Sequence, residues 1–355
     1  MSRVVAVASA LPVHRYEQRV LTDAFAEVVL PPGADRRVLD RLHEATSVRS
    51  RHLALPLEAY RDLTGFGAAN DTFLEVATEL GERAVREALS RAGLAAGDVD
   101  VVMSTTVTGV AAPSLEARLV PRLGLRRDVR RLPLFGLGCV AGAAGIARLH
   151  DLLRGDPDAV AVLLSVELCS LTIQRDDTSM ANLVGSGLFG DGAAAVVVVG
   201  ERRARALGVT ARPQVVATRS TFYPGTERVM GWDVGASGFR IVLAASVADV
   251  VEEHLGHDVT AFLGDHDLKV ADVGTWVAHP GGPKVLHAMA RTLGLADDAF
   301  DRTWRSLAQV GNLSSASVLH VLADTLDAPA PPAGSYGVLL AMGPGFCSEL
   351  VLLRW

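Results

Sequence analysis

Residues 132–145 read L-P-L-F-G-L-G-C-V-A-G-A-A-G, and their interpretation decides the fold. An apolar run enters, Gly136 and Gly138 precede Cys139, and a small-residue stretch continues through Ile146, Leu149 and Leu153. The pattern predicts a strand, a sharp turn and a helix, with the thiol at the helix N-terminus. Backbone N–H groups and the helix dipole favour a thiolate there. The glycines let a large substrate approach the sulfur closely. This is the layout of a nucleophile elbow built on cysteine. The plainer alternative is a buried cysteine that packs a small-residue helix start.

Two later segments tip the balance towards chemistry. Residues 275–283, T-W-V-A-H-P-G-G-P, read as an apolar strand ending in His279 and then a Pro/Gly turn. Residues 311–317, G-N-L-S-S-A-S, place Asn312 at the opening of an apolar helix. Strand ends and helix N-termini are where chemistry is usually carried. A cysteine, a histidine and an asparagine on three such junctions suit thioester chemistry.

The rest of the chain reads as alternating elements. Residues 74–92 carry apolar side chains at helical spacing. Residues 98–104, 159–166 and 193–200 read as buried strands, the last so apolar that it belongs at the centre of a sheet. A charged turn at 201–205 breaks the pattern, and a strand restarts at 215–220. There follow a helix at 245–254, a strand at 273–279 and helices at 284–293 and 314–326. A Pro/Ala loop at 328–334 leads to closing strands at 336–342 and 348–355. Strands alternating with helices predict a largely parallel sheet.

A chain of 355 residues suggests two domains, and a hydrophobic content of 49% is ample for large cores. A formal net charge of −6 argues against nucleic acid as a partner. The arginine run at 126–131, R-R-D-V-R-R, reads as a solvated loop. Three separated cysteines make neither a disulfide framework nor a zinc pattern, and a reducing, cytoplasmic setting fits them. The opening V-V-A-V-A-S-A can pass for a short signal peptide. A first buried strand ending at residues 10–12 is the better reading, because few positive charges precede it. No apolar run reaches the ~18 residues needed to span a bilayer, so no stable membrane association is expected. His254, His257 and His266 lie near Glu252 and Asp265, but they read as solvated surface, and no metal is expected.

Taken in order, Cys139, F-G-D-G at 189–192, H-P-G-G at 279–282, G-N-L-S-S at 311–315 and G-P-G at 343–345 resemble the type III polyketide synthases. These are the chalcone synthase family of the thiolase-like superfamily. The resemblance covers nearly the whole chain, and the segments at 167–171 and 342–355 resemble bacterial members. It implies an α/β, thiolase-like, duplicated αβαβα five-layer fold. The implied halves are 1–203, carrying the cysteine, and 204–355, carrying the histidine and asparagine. Cys139 is implied as the nucleophile that holds the growing acyl chain, with His279 beside it as an imidazolium that lowers the thiol pKa further. His279 and Asn312 are implied donors to the enolate left when malonyl-CoA loses CO₂. An acyl-CoA starter and malonyl-CoA are the implied substrates, with no acyl carrier protein and no metal or redox cofactor. A homodimer is also implied, with Ala112 reaching across the interface.

Finer assignments follow from the same resemblance. Phe189 and Phe239 are implied gates between a CoA tunnel and the cavity. Cys169, Thr172, Met230 and Ser314 are implied pocket lining, with Cys169 read as a liner rather than a second reactive thiol. Cys347 reads as a packing residue. Gly281 and Gly282, with the Gly343, Pro344 and Gly345 turn, are places where backbone approaches substrate. Arg41 matches a residue that binds CoA phosphates. Val38 and Ala45 stand where further lysines are expected, and Arg36, Arg37 and Arg49 are the nearby substitutes. The segment at 222–233 resembles members that make alkylpyrones or alkylresorcinols from fatty acyl starters. An aromatic starter, or malonyl units alone giving a naphthalene-type product, stays open. The rivals are a ketoacyl-ACP synthase III-like condensing enzyme, a silent partner subunit and a cysteine hydrolase. The first of these usually carries glutamine and alanine after the histidine, where this chain has Pro280 and Gly281.

Overall fold

The strand Asp191–Gly200 shows how the layers arise. Ala194, Val196 and Val198 face one core, while Ala193, Ala195, Val197 and Val199 face another. A strand that is apolar on both faces must be covered on both. A computed structural model describes residues 1–31, 33–209 and 211–355.

In chain order the elements begin with β1 (Ser2–Ala10), β2 (His14–Glu17), α1 (Gln18–Val29), α2 (Arg37–Glu44), β3 (Ser50–Leu53), α3 (Gly65–Ala92) and β4 (Val101–Thr106). They continue with α4 (Leu115–Leu123), β5 (Arg130–Phe135), α5 (Ala141–Gly155), β6 (Val160–Leu168), α6 (Met180–Leu188), β7 (Asp191–Gly200) and α7 (Glu201–Ala206). Next come β8 (Gln214–Phe222), β9 (Met230–Gly235), β10 (Gly238–Leu243), α8 (Val247–Gly264), β11 (Val273–Ala278) and α9 (Pro283–Leu293). The chain closes with α10 (Asp301–Val310), α11 (Ser317–Asp327), β12 (Tyr336–Gly343) and β13 (Cys347–Arg354).

Nine strands form one sheet in the order β11-β12-β13-β8-β1-β7-β6-β4-β5. Its halves are joined by a narrow seam, Ser2 opposite Val215 and Arg3 opposite Gln214. Both halves contribute to one shared core around α5 and α11, including Val7 of β1, Leu163 of β6, Leu339 of β12 and Val351 of β13. A second core packs α3 and α4 on the outer face of the first half, through Phe73, Leu80 and Leu119. A third packs α8, α9 and α10 on the outer face of the second half, through Leu255, Met289 and Leu307. The result is the expected αβαβα stack of five layers.

The sheet is mixed rather than largely parallel. β4–β5, β4–β6 and β11–β12 are parallel, whereas β1–β7, β6–β7, β12–β13 and β8–β13 are antiparallel. A strand buried on both faces reads as an apolar run whichever way its neighbours point, so the sequence pattern carries no direction. Other differences have local causes. Residues 201–205 form a short helix, with Arg205 paired to Glu201 one turn away and Ala204 buried. α8 continues ten residues beyond 254, because Leu255, Val259, Phe262 and Leu263 extend its buried stripe past the polar His254 to Asp258 stretch. α2 and α10 escape a hydrophobic-period reading because each buries few apolar side chains. β1 is paired with β7 along its length, as a first buried strand requires. In the arginine run, Arg126 pairs with Asp100 and Asp128, and Arg130 with Asp156. Among the described residues no helix is long and apolar enough to cross a membrane.

Small residues let α5 sit close to its neighbours. A Cβ on Gly142 would lie 2.3 Å from the Ser315 carbonyl oxygen, and one on Gly145 would lie 2.6 Å from Leu163. Backbone cannot yield as a side-chain tip can, so Gly142→Ala is expected to cost about 2–3 kcal/mol. Thermal or denaturant unfolding checks this, and an unchanged midpoint would contradict the close helix contact.

Candidate active site

Both central helices start at one place. After β5 the chain turns through Gly136 (φ 96°) and Gly138 (φ 55°), values that glycine reaches freely. One 3₁₀ turn, Gly138–Val140, carries Cys139 directly into α5. A Cβ on Gly138 would lie 2.5 Å from the Pro344 ring, and one on Gly343 would lie 2.6 Å from the Val140 nitrogen. The G-P-G turn therefore closes against the cysteine loop. Gly345, at φ 69°, makes the tight turn itself.

The start of α11 meets this loop. α10 ends at Gly311, then Asn312, and a 3₁₀ turn Ser314–Ala316 leads into α11. The Cys139 thiol donates to Ser314 Oγ at 3.7 Å. Asn312 Oδ1 accepts from the Ser314 backbone N–H at 2.8 Å and from Ser317 Oγ at 3.3 Å. With its oxygen occupied on both sides, the Asn312 amide presents Nδ2 as its remaining donor group. The Asn312 backbone is bridged to the turn before β7. Its N–H donates to Leu188 O at 2.9 Å, and its carbonyl accepts from Gly190 N–H at 3.0 Å.

His279 follows β11, held by its N–H to Leu340 O at 2.9 Å. Its Nδ1 is buried with no hydrogen-bond partner among the described residues. Such an orphaned polar atom calls for an explanation, and a role towards substrate is one. Gly281 donates to the His279 carbonyl at 2.9 Å, and Gly282 (φ 122°) caps α9 beside Leu188. Burial pushes the Cys139 thiol up to about 12, with Ser314 pulling it down and the Glu167 charge adding to the rise. Burial pulls the His279 imidazole down to about 3. Burial therefore disfavours charge on both groups, whereas the family resemblance implies a thiolate–imidazolium pair.

The expected pocket residues divide into groups. Phe189 follows α6, bridged to Asn312, with its ring beside Gly185. Cys169 is buried in a turn after β6, electrostatically within reach of Cys139 and Glu167, and burial holds its thiol well above the usual range. Thr172 Oγ1 donates to the Cys169 carbonyl at 2.7 Å, closing that turn. Phe239, in β10, packs edge-on against Phe66 at 5.3 Å, and Gln174 Nε2 donates to its carbonyl at 3.2 Å. Met230 opens β9 opposite Leu243 of β10 and packs against the cluster that also takes in Leu188 and Phe189. Cys347 is buried, its thiol donating towards Pro344 O at 3.8 Å, as a packing residue would.

Arg41 is exposed on α2 and donates to its own helix, to Arg37 O at 3.4 Å. Arg36 pairs with Asp23 and Asp40, and Arg37 with Asp35, all at the exposed surface of α2 and its entry. Ala112 lies exposed in the loop before α4. No three His, Cys, Asp or Glu side chains converge as a metal site would need, among the described residues. Glu252 is engaged by Arg291 and Asp265 by Arg219, while His254 stacks on Tyr223.

Among the buried carboxylates that the sequence reading gave no role, two brace turns of the site, Glu167 and Asp191. Glu167 accepts from Val107 N–H at 3.1 Å, from Thr108 Oγ1 at 2.9 Å and from Ser315 Oγ, so it ties β6 to the start of α11. Its signal is a lone acid in an otherwise apolar strand. Asp191, the acid of F-G-D-G, accepts from Ala54 N–H at 2.6 Å and Ser170 N–H at 2.8 Å, fixing the residue next to Cys169. Burial pushes its carboxyl up to about 6.

The comparisons with known proteins agree with this geometry. The chalcone and stilbene synthase N-terminal domain matches residues 1–202, and the C-terminal domain of the same family matches residues 214–355. A 1,3,6,8-tetrahydroxynaphthalene synthase of Streptomyces peucetius subsp. caesius is 58% identical, over 99% of this chain and 93% of its own. An alpha-pyrone synthesis polyketide synthase-like protein of Mycobacterium tuberculosis is 29% identical, over 98% of this chain and 89% of its own. The crystal structure of the 1,3,6,8-tetrahydroxynaphthalene synthase of Streptomyces coelicolor, described as a bacterial type III polyketide synthase, matches at TM-score 0.93. That match has 30% sequence identity and covers 99% of both chains. The chain belongs to the chalcone and stilbene synthase family and is a type III polyketide synthase, a decarboxylating condensing acyltransferase.

Proposed function

We propose that the chain joins malonyl-derived units into a 1,3,6,8-tetrahydroxynaphthalene-type product. The observation that carries this reading is the 58% identity, over almost the full chain, with the S. peucetius synthase of that product. It redirects the sequence expectation of an alkylpyrone or alkylresorcinol. Oxygen on alternate ring carbons is what head-to-tail joining of malonyl-derived two-carbon units leaves behind. Malonyl-CoA would then serve as both starter and extender. Alkylpyrone formation from a longer acyl starter is the second reading, favoured by the likeness to the M. tuberculosis protein. The family matches over both halves do not favour the ketoacyl synthase alternative.

In this reading Cys139 Sγ gives its proton to His279 and attacks the starter thioester carbon, and CoA leaves as its thiol. When the next malonyl group loses CO₂, the electron pair of the broken C–C bond becomes an enolate. Asn312 Nδ2–H and the imidazole N–H donate to its oxygen, and a neutral imidazole retains one N–H for this. The enolate carbon attacks the Cys139 thioester, the C–S bond breaks, and the extended chain, now on CoA, returns to Cys139. CoA thioesters carry every reacting group, so the scheme calls for no acyl carrier protein, metal or redox cofactor. Phe189, Phe239 and Cys169 are proposed to border the cavity. Arg41 and Arg49, both exposed and outside the ion pairs found among the described residues, are proposed to meet the CoA phosphates. Three free, buried thiols suit a reducing cytoplasm.

Three outcomes test this account. Malonyl-CoA alone should give a tetrahydroxynaphthalene-type product by mass spectrometry. Cys139→Ala should acquire no acyl mass, and Asn312→Ala should load but extend at least about 10²-fold slower. Product formation only when a long acyl-CoA is added would favour the pyrone reading, and rapid extension by Asn312→Ala would remove its role.

Alkylation of Cys139 by iodoacetamide probes the base. His279→Ala should slow it by at least about 10-fold at neutral pH. The gap should narrow as pH rises, because burial holds the unaided thiol above its usual range and higher pH ionises it without the base. Equal rates at neutral pH would remove His279 as the proton acceptor.

A homodimer is proposed across the open edge strand β5, whose outward residues include the exposed Phe135, next to the Ala112 loop. Light scattering should give twice the monomer mass for the parent and a smaller mass for Phe135→Glu. A monomeric parent would contradict it.

A further inference from the structure

Arg51 is a buried cation that the scheme above does not use. It lies on β3, outside the main sheet, and is only 4% exposed. A guanidinium is costly to bury unless its donors are satisfied. Nη1 donates to the Phe189 carbonyl at 2.7 Å, and Nε donates to Gln18 Oε1 at 3.1 Å. Gln18 in turn donates through Nε2 to Gly187 O at 2.7 Å, so its amide orientation is fixed from both ends. Burial works against the cation, and the charge of Asp191 works in its favour.

The stem of Arg51 touches the other side of the Phe189–Asn312 bridge. A Cβ on Gly311 would lie 3.1 Å from Arg51 Cγ and Cδ, and one on Gly190 would lie 3.5 Å from Cγ. Gly311 has φ 75°, so the backbone just before Asn312 takes a glycine conformation with an arginine stem filling the space beside it. The neighbours of Arg51 brace the same point. Arg49 N–H donates to Ala308 O at 2.8 Å, and Ser50 Oγ donates to Gln309 O at 2.8 Å, in the last turn of α10.

We infer that Arg51 is a positioning residue that fixes the Phe189 carbonyl and the Gly311–Asn312 backbone together, so that gate and enolate donor are set by one buried side chain. This rests on the decarboxylative reading of Asn312 proposed above. A planar fork with a long apolar stem can hold both sides at once, whereas lysine offers one point charge. The hydrogen bonds of Arg51 reach neither Cys139 nor Ser314, so acyl loading should be spared.

The test separates loading from decarboxylation. CO₂ release from malonyl-CoA and acyl mass on Cys139 are measured for the parent, Arg51→Met, Arg51→Lys and Gln18→Ala. Arg51→Met should lower kcat for CO₂ release about 10- to 100-fold while KM and the loading rate stay within about twofold, the pattern of a transition-state loss. Arg51→Lys should recover less than half of the lost rate. Gln18→Ala, which keeps the charge, should lose about 3- to 10-fold. Parent-like CO₂ release by Arg51→Met would overturn the inference. So would loading and release falling together, in Arg51→Met or in Gln18→Ala, because that is the mark of general misfolding. A parent that releases no CO₂ from malonyl-CoA would instead overturn the functional reading itself.

Discussion

The contact between the first turns of α5 and α11 is the constraint on which the rest depends. Gly142 has no Cβ, and the Ser315 carbonyl occupies the place where one would be. That approach brings Cys139 and Ser314 within 3.7 Å, across two halves of the chain that also share the core around α5 and α11 and the β1–β8 seam of the sheet. Each helix N-terminus supplies unpaired N–H groups and a positive dipole end, so the junction is suited to anionic sulfur and anionic oxygen. Moving either helix outward would separate Cys139 from Asn312, which the proposed chemistry needs side by side.

Burial around this junction works in two directions. It disfavours charge on the Cys139 thiol and on the His279 imidazole. It also excludes the water that would weaken hydrogen bonds to a developing enolate or quench it. The polar groups that the junction cannot avoid are tied to backbone: Glu167 to Val107 and to the Ser315 side chain, Asp191 to Ala54 and Ser170, and Arg51 to Phe189. Each fixes the turn next to a residue of the site. A buried, fully bonded polar group specifies one arrangement where apolar contacts alone would tolerate several.

Much of this was legible in the sequence. Glycine placement and apolar runs located the Cys139, His279 and Asn312 junctions, because both signals are local. Strand direction was not legible, since β7 and β12 read as apolar runs whatever their neighbours do. α2 and α10 bury too few apolar side chains to show a period. Arg51 gave no signal in S-R-H-L, because its partners, Gln18, Phe189 and Gly311, lie far apart in the chain. Long-range polar pairing is fixed only when the layers close. The ion pairs of Arg36 and Arg37 with Asp23, Asp35 and Asp40 were likewise not announced by spacing.

The central claim is that the two helix starts together hold one thioester. A crystal structure of the Cys139→Ser protein with malonyl-CoA tests it most directly. The account predicts the malonyl thioester oxygen within hydrogen-bond distance of Asn312 Nδ2 and of the His279 ring, with residue 139 facing the thioester carbon. A malonyl group seated away from Asn312, or an Asn312 amide turned so that Oδ1 faces the ligand, would contradict it.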